Sequence, residues 1–197
     1  MAKRRRRNQP AAAAAAAATT AMVVLGGGGA ALALPEGMVV TGGQLELTNH
    51  AAGQALINQA SERAAADFQS FNIGAGERVQ IVQPSSSSAF LGRVVGGNIT
   101  EIHGRLDANG RVMLVNPAGV LIGPTGVINT AAFTATTLNV DPAKFMEGGR
   151  LELKNLPGLD PNAAVINQGT ITVADGGYAA LIAPQVVNEG LITARLG

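Results

Sequence analysis

The chain has 197 residues, 47% of them hydrophobic and 14% charged, a balance that excludes a disordered polymer and leaves room for one domain plus a leader. Aromatic residues make up only 3%, with no Trp, against 26 Gly, so a coiled β structure of small and β-branched residues with glycine corners fits better than an aromatic-rich enzyme core. The formal charge of +1 hides an asymmetry, because Lys3 and Arg4 to Arg7 lie at the start and residues 34–197 carry 9 basic against 13 acidic side chains, which excludes a basic nucleic-acid surface.

Residues 1–33 open with MAKRRRRNQP, continue through eight alanines and end on Ala31-Leu32-Ala33. A basic start, an apolar middle and a small-x-small ending read as a secretory signal peptide, with Ala31 and Ala33 marking the cleavage site. Gly26 to Gly29 interrupt the apolar run and leave it short of the roughly 20 residues a membrane-spanning helix needs. The Arg run lacks the Phe-Leu-Lys-like segment of a twin-arginine signal.

From Leu34 onward the pattern is that of strands. Gln44 to Thr48 alternates polar and apolar behind a Gly42-Gly43 turn, and Val79 to Val82 and Phe90 to Val95 flank a loop at Ser85 to Ser88. Ser61 to Ala66 holds helix formers but lies between strands, and a β reading with an irregular link is expected there. Phe68, Phe71 and Phe90 are candidate cap and core anchors rather than ligand-stacking residues.

Between Arg111 and Val140, short β-branched runs are broken by Asn116-Pro117-Ala118-Gly119 and Gly123-Pro124-Thr125-Gly126. At the first break Asn116 can bond the backbone two residues on, Pro117 presets φ, and Gly119 suits the fourth position. Ala118 at the third position indicates a type I turn, since type II would force a Cβ-bearing residue to φ > 0.

A weak repeat emerges once Gly-x-Leu/Ile is marked at Gly104/Leu106, Gly126/Ile128, Gly149/Leu151, Gly169/Ile171 and Gly190/Ile192, with spacings of 22, 23, 20 and 21 residues. A unit of that length makes one turn of a parallel β-helix. Asn167-Gln-Gly-Thr-Ile-Thr and Asn188-Glu-Gly-Leu-Ile-Thr share four identities, which predicts that Asn167 stacks on Asn188 in an amide ladder. Gly149 is the weakest member, because Asp141 to Val165 carries Pro142, Pro157, Pro161 and several charges.

Catalytic chemistry has little to stand on. Without Cys there is no thiolate metal site, His50 and His103 are isolated, and Gly26 to Gly29 lie in the leader rather than in a phosphate loop. Asp107, Asp141, Asp160 and Asp175 are spread about one per turn, without the concentrated Asp, Lys and Arg set that acid–base chemistry on a β-helix would use. No cofactor is indicated.

Gln83-Pro84-Ser85, Leu91-Gly92-Arg93-Val94, Ile102-His103-Gly104, Asn116-Pro117-Ala118-Gly119 and Thr136-Thr137-Leu138 occur in that order, with Gly176 to Gly190 downstream. Over roughly residues 36–195 the chain resembles the filamentous-haemagglutinin-like two-partner secretion domain, also known as the haemagglutination activity domain. Phe68, Gly92 and Ala118 stand where Trp, Asn and Asn are common in that family. The resemblance implies an all-β fold, a right-handed parallel β-helix with an N-terminal cap and hairpin-like excursions, one of them near Asp141 to Val165. It further implies that residues 34–197 form a secretion-targeting and folding-nucleation domain of a large adhesin- or haemagglutinin-like exoprotein of a Gram-negative bacterium. The partner it implies is an outer-membrane transporter with POTRA domains, and the turn Asn116, Pro117, Ala118 and Gly119 is the motif tied to secretion. The exoprotein would cross the inner membrane and end secreted or surface-associated, with a host-cell receptor or glycan contacted by a missing downstream region. The chain is expected to be the N-terminal piece of something longer, because an uncapped β-helix end exposes unpaired backbone. A carbohydrate-active β-helix lyase or hydrolase is the first alternative, and a plain surface-structural protein without a partner transporter is the second. An elongated β monomer without helices beyond short turns is expected, in which Leu121→Asp or Ile171→Asp would each bury an unpaired charge.

Overall fold

The computed structural model describes residues 33–50, 53–155 and 160–196. The expected leader as far as Leu32, with Ala31, lies outside the described residues, as do Pro157 and the side chain of His50. Two strands, β1 (Val39–Gly42) and β2 (Leu45–His50), precede the repeating part. Three strand positions then recur in each turn. The first position holds β3 (Gln54–Gln59), β5 (Arg78–Val82), β8 (Arg105–Ala108), β11 (Val127–Thr130), β14 (Thr170–Val173) and β17 (Leu191–Ala194). The second holds β4 (Arg63–Phe68), β6 (Ala89–Val94), β9 (Arg111–Val115), β12 (Ala132–Thr136) and β15 (Ala179–Ile182). The third holds β7 (Thr100–Ile102), β10 (Val120–Ile122), β13 (Ala164–Asn167) and β16 (Gln185–Asn188).

Like positions pair in parallel from turn to turn, building sheets of seven, six and four strands once β2 and β1 are added. The result is a parallel β-helix of about six turns. At its start β1 runs antiparallel to β4 and β2 antiparallel to β3, so two reversed strands cover the backbone edges of the first turn.

Register explains the core. Ala55, Val79, Leu106, Ile128, Ile171 and Ile192 occupy one inward column through all six turns. Phe68, Phe71 and Phe90 fill the wide early turns, with Phe68 edge-on to both others at 5.1 and 6.3 Å between ring centres. The space beside Gly92 is closed by the Phe90 ring and Leu114, so a side chain there would displace them. The period-two alternation also decides Leu121. It lies between inward Val120 and Ile122 and faces outward, half-buried, so the expectation that Leu121→Asp would bury a charge is overturned, whereas Ile171 is fully buried.

The Gly-x-Leu/Ile repeat has a steric cause. A Cβ on Gly104, Gly126, Gly169 or Gly190 would sit 2.1–2.4 Å from a backbone oxygen of the turn beneath, and the Leu or Ile two residues on points inward. Gly149 has nothing within 4 Å and a φ of +85°, and β11 pairs directly with β14, so the Gly149 match is accidental.

Residues 137–155 leave the stack and fold over the outer face of the six-stranded sheet. Here the structure adds a helix of six residues, α1 (Pro142–Glu147), with Asp141 Oδ1 accepting from Ala143 N–H and Pro142 at the start. An antiparallel bridge between Asn139 and Lys154 closes the base of the excursion. Phe145 and Val140 pack on Ala65, Leu91 and Val115, so this sheet is covered on both faces.

Candidate functional site

Four of the five sequence motifs mark corners of the β-helix, while Leu91-Gly92-Arg93-Val94 lies within β6. Gln83-Pro84-Ser85 turns from the seven- to the six-stranded sheet, Asn116 to Gly119 and Thr136 to Leu138 turn from the six- to the four-stranded sheet, and Ile102 to Gly104 leads back. The corner holding Asn116 brings most of them together.

Asn116 is buried with 1% of its surface exposed, although it lies in a turn. Its Oδ1 accepts from Ala118 N–H at 2.9 Å and its carbonyl accepts from Gly119 N–H at 3.0 Å. That is the expected Asx-capped turn. Leu196 is the sole non-glycine described residue with positive φ, so Ala118 keeps the negative φ that type I requires, while Gly119 takes φ +125°. Asn116 does more than close its own turn. Both Nδ2 hydrogens point to the turn of the helix beneath, donating to Asn98 O and Thr100 Oγ1, each at 2.9 Å. Its backbone N–H donates to Thr136 O above at 2.9 Å, so one residue joins three successive turns.

Pro117 and Ala118 remain half-exposed on the outside of this corner, beside exposed Val95 and Ile99. A shallow cavity of about 420 Å³ lies between Arg93, Val94, Val95, Val115, the Asn116–Ala118 turn and Asn139. Arg93 forms its floor through a bidentate pair with Asp67 at 2.7 and 2.8 Å, and it donates to Val140 O at 3.3 Å, tying the excursion to the stack. Arg63 does the same one turn earlier, donating to Phe145 O at 3.1 Å beneath the Phe145 ring.

Several structural side chains escaped the sequence reading. Gln83 is buried, donates through Nε2 to Gln59 Oε1 and Ser88 O at 3.2 Å, and accepts from Gly110 N–H at 3.0 Å, so it stitches the corner opposite Asn116. Gln59 and Gln83, 24 residues apart in the chain, are the only hint that the two amides stack. On the outer face Asp107 accepts from Arg78 and Arg105 at 2.7 Å and from Asn129 at 3.1 Å. Burial acts to raise its carboxyl, but the bonds from Arg105, Asn129 and Arg78 outweigh it and hold the group below its ordinary value. The expected Asn167–Asn188 ladder is present, at 2.7 Å. His103 stacks on Gly123 of the next turn, with Glu101 at 3.8 Å. Of the two cleavage-site residues, Ala33 is described, half-buried, with its N–H on both carboxylate oxygens of Glu77 at 2.9 and 3.1 Å.

Comparison with known proteins places this geometry. The family model described as TPS secretion domain matches residues 18–195. A heme/hemopexin-binding protein of Haemophilus influenzae Rd is 34% identical over 165 residues, 82% of this chain and 18% of that protein. A second Haemophilus influenzae heme/hemopexin-binding protein is 38% identical over 99 residues, 50% of this chain and 11% of that protein. The chain thus spans under a fifth of the length of either relative. The crystal structure of the HMW1 secretion domain from Haemophilus influenzae superimposes with a TM-score of 0.73 at 33% identity, covering 81% of this chain and 42% of that one.

Proposed function

Because the chain belongs to the TPS secretion domain family, the secretion domain of an exoprotein rather than an enzyme family, we propose that residues 34–197 target a large adhesin- or haemagglutinin-like exoprotein to the POTRA domains of a dedicated outer-membrane transporter and then nucleate its folding. The match over residues 18–195 carries the reading. The β-helix supplies the physical logic. Each turn buries its apolar column only against the turn before it, so a capped first turn is a template on which emerging chain adds turn by turn. In this reading residues 1–33 serve as the signal peptide that crosses the inner membrane and is removed after Ala33. The transporter then meets the domain before it folds, while Asn116, Pro117, Ala118 and Gly119 are still accessible.

Co-expression with the cognate transporter, intact or lacking its POTRA domains, tests this proposal by secreted yield. Yield should collapse without the POTRA domains while periplasmic material accumulates. Undiminished secretion without them would refute it. The heme/hemopexin binding in the relatives' names belongs to those whole proteins, of which this chain covers 18% and 11%. A host receptor, glycan or haem carrier for this exoprotein would be bound by regions other than residues 34–197.

A further inference from the structure

Glu77 is a buried carboxylate with 7% of its surface exposed, at the corner where the first turn passes into the second. Its oxygens accept from Gly74 N–H at 2.7 Å and, bidentately, from Ala33 N–H at 2.9 and 3.1 Å. Among the described residues no cationic side chain pairs with it. The guanidinium groups of Arg78, next in sequence, and Arg105, whose backbone N–H bonds Glu77 O, are both drawn to Asp107. Glu36 and His103 are the other titratable groups on the neighbouring segments, and His103 faces Glu101. A buried carboxylate held only by neutral N–H groups leaves room for an ammonium.

Removal of residues 1–33 would create one at this place. Leu34 is 6% exposed and packed in the main core, and Glu36 is bridged to Ser70, so the first mature residue is anchored from its own side. Its nitrogen lies one residue, a step of about 3.8 Å between Cα atoms, from the amide that Glu77 now holds. We propose that Glu77 is the receptor for the α-ammonium group of the processed chain, so that leader removal replaces a neutral hydrogen bond with an ion pair that locks the cap onto the first turn. This proposal rests on the reading of residues 1–33 as a cleaved leader.

An ion pair raises the pKa of the ammonium above the ordinary α-amino value of about 7.7–8.0. Its stabilisation is therefore complete below that value and lost as pH rises through the folded pKa. The test melts mature chain recovered after export, its Glu77→Gln counterpart and the unprocessed chain between pH 6 and 10, with N-terminal sequencing of the first. The mature chain should show a downward step of about 4 °C above pH 8, corresponding to a shift of one pKa unit. The other two should lack that step. If Glu77→Gln fails to fold, mature chain acetylated on its α-amino group takes its place and should also lack it. A first residue of Leu34 with parallel melting curves overturns the Glu77 pair and leaves the leader reading standing. A first residue of Leu32 overturns the Glu77 pair alone, because Ala33 then keeps its amide on Glu77, whereas a first residue of Met1 overturns the pair and the leader reading together.

Discussion

Asn116 shows how much a single side chain can hold. Three bonds converge on its amide, two of them to groups of the preceding turn, and Thr100 Oγ1 is buried with it. Asn116→Ala should therefore cost about 2–4 kcal/mol rather than the roughly 1 kcal/mol of one local bond. Asn116→Asp discriminates further. It keeps the acceptor for Ala118 N–H but aims a carboxylate at Asn98 O, so it should melt below Asn116→Ala. If the role is structural, secreted yield of both variants should follow their melting order. A sharp loss of export in a variant that melts like wild type would show that the side chain is read before folding. The Asx bond to Ala118 was legible in the sequence because its partners are two residues apart. The bonds to Asn98 and Thr100 span 18 and 16 residues, and which residues stack depends on turn lengths that a weak repeat leaves open.

At the level of elements, the stack is stitched on its outside as well as packed within. Asp107 joins β5, β8 and β11 through Arg78, Arg105 and Asn129, and its two arginines are about half exposed. Asp107→Asn should lower stability by about 1 kcal/mol at neutral pH, as expected for partly solvated pairs. The bonds depress the carboxyl, so the stabilisation is present above the ordinary value of about 3.9 and lost as pH falls through the folded value. Denaturant melts of wild type and variant should converge below about pH 4, and a constant gap down to pH 2 would exclude the linkage. The excursion is held differently, by Phe145 in an apolar seat and by the arginines beneath it. Phe145→Ala should cost about 3 kcal/mol and raise hydrogen exchange across residues 137–155 before the strands beneath respond. Slow exchange there in the variant would show that the bonds from Arg63 and Arg93 suffice. The prolines and charges of Asp141 to Val165 announced an excursion. The helix inside it was also signalled, by Asp141 as a cap and Pro142 at the first position, but six residues are too few to show a helical period.

For the whole β-helix, stability is close to a sum of turns and of the interfaces between neighbouring turns. The class of fold was legible because glycine at a corner with an inward Leu or Ile two residues later recurs in four of the six turns, at Gly104, Gly126, Gly169 and Gly190, for a steric reason that leaves a mark in the sequence. Facing was not, since Leu121 sits in a fully apolar run, Val120-Leu121-Ile122, where alternation carries no signal until the partner strands are known. The final turn also differs from those before it. β15, β16 and β17 end their three sheets, and Val186 is exposed although it lies in the column of buried Thr100, Val120 and Val165, whereas Leu191 is exposed because it faces outward in the column of Arg105, Val127 and Thr170. A charge should thus be tolerated or not according to its column rather than its hydropathy. Ile171→Asp places a carboxylate in the column that runs from Ala55 to Ile192, between Ile128 and Ile192, and should cost about 4 kcal/mol or more while loosening the turns on both sides. Leu121→Asp, outward on β10, should cost no more than about 1 kcal/mol. Circular dichroism melts of the two variants with hydrogen exchange over β11 and β17 measure both the loss and its spread. Equal destabilisation, or a loss confined to β14, would contradict a stack in which each turn depends on the one beside it.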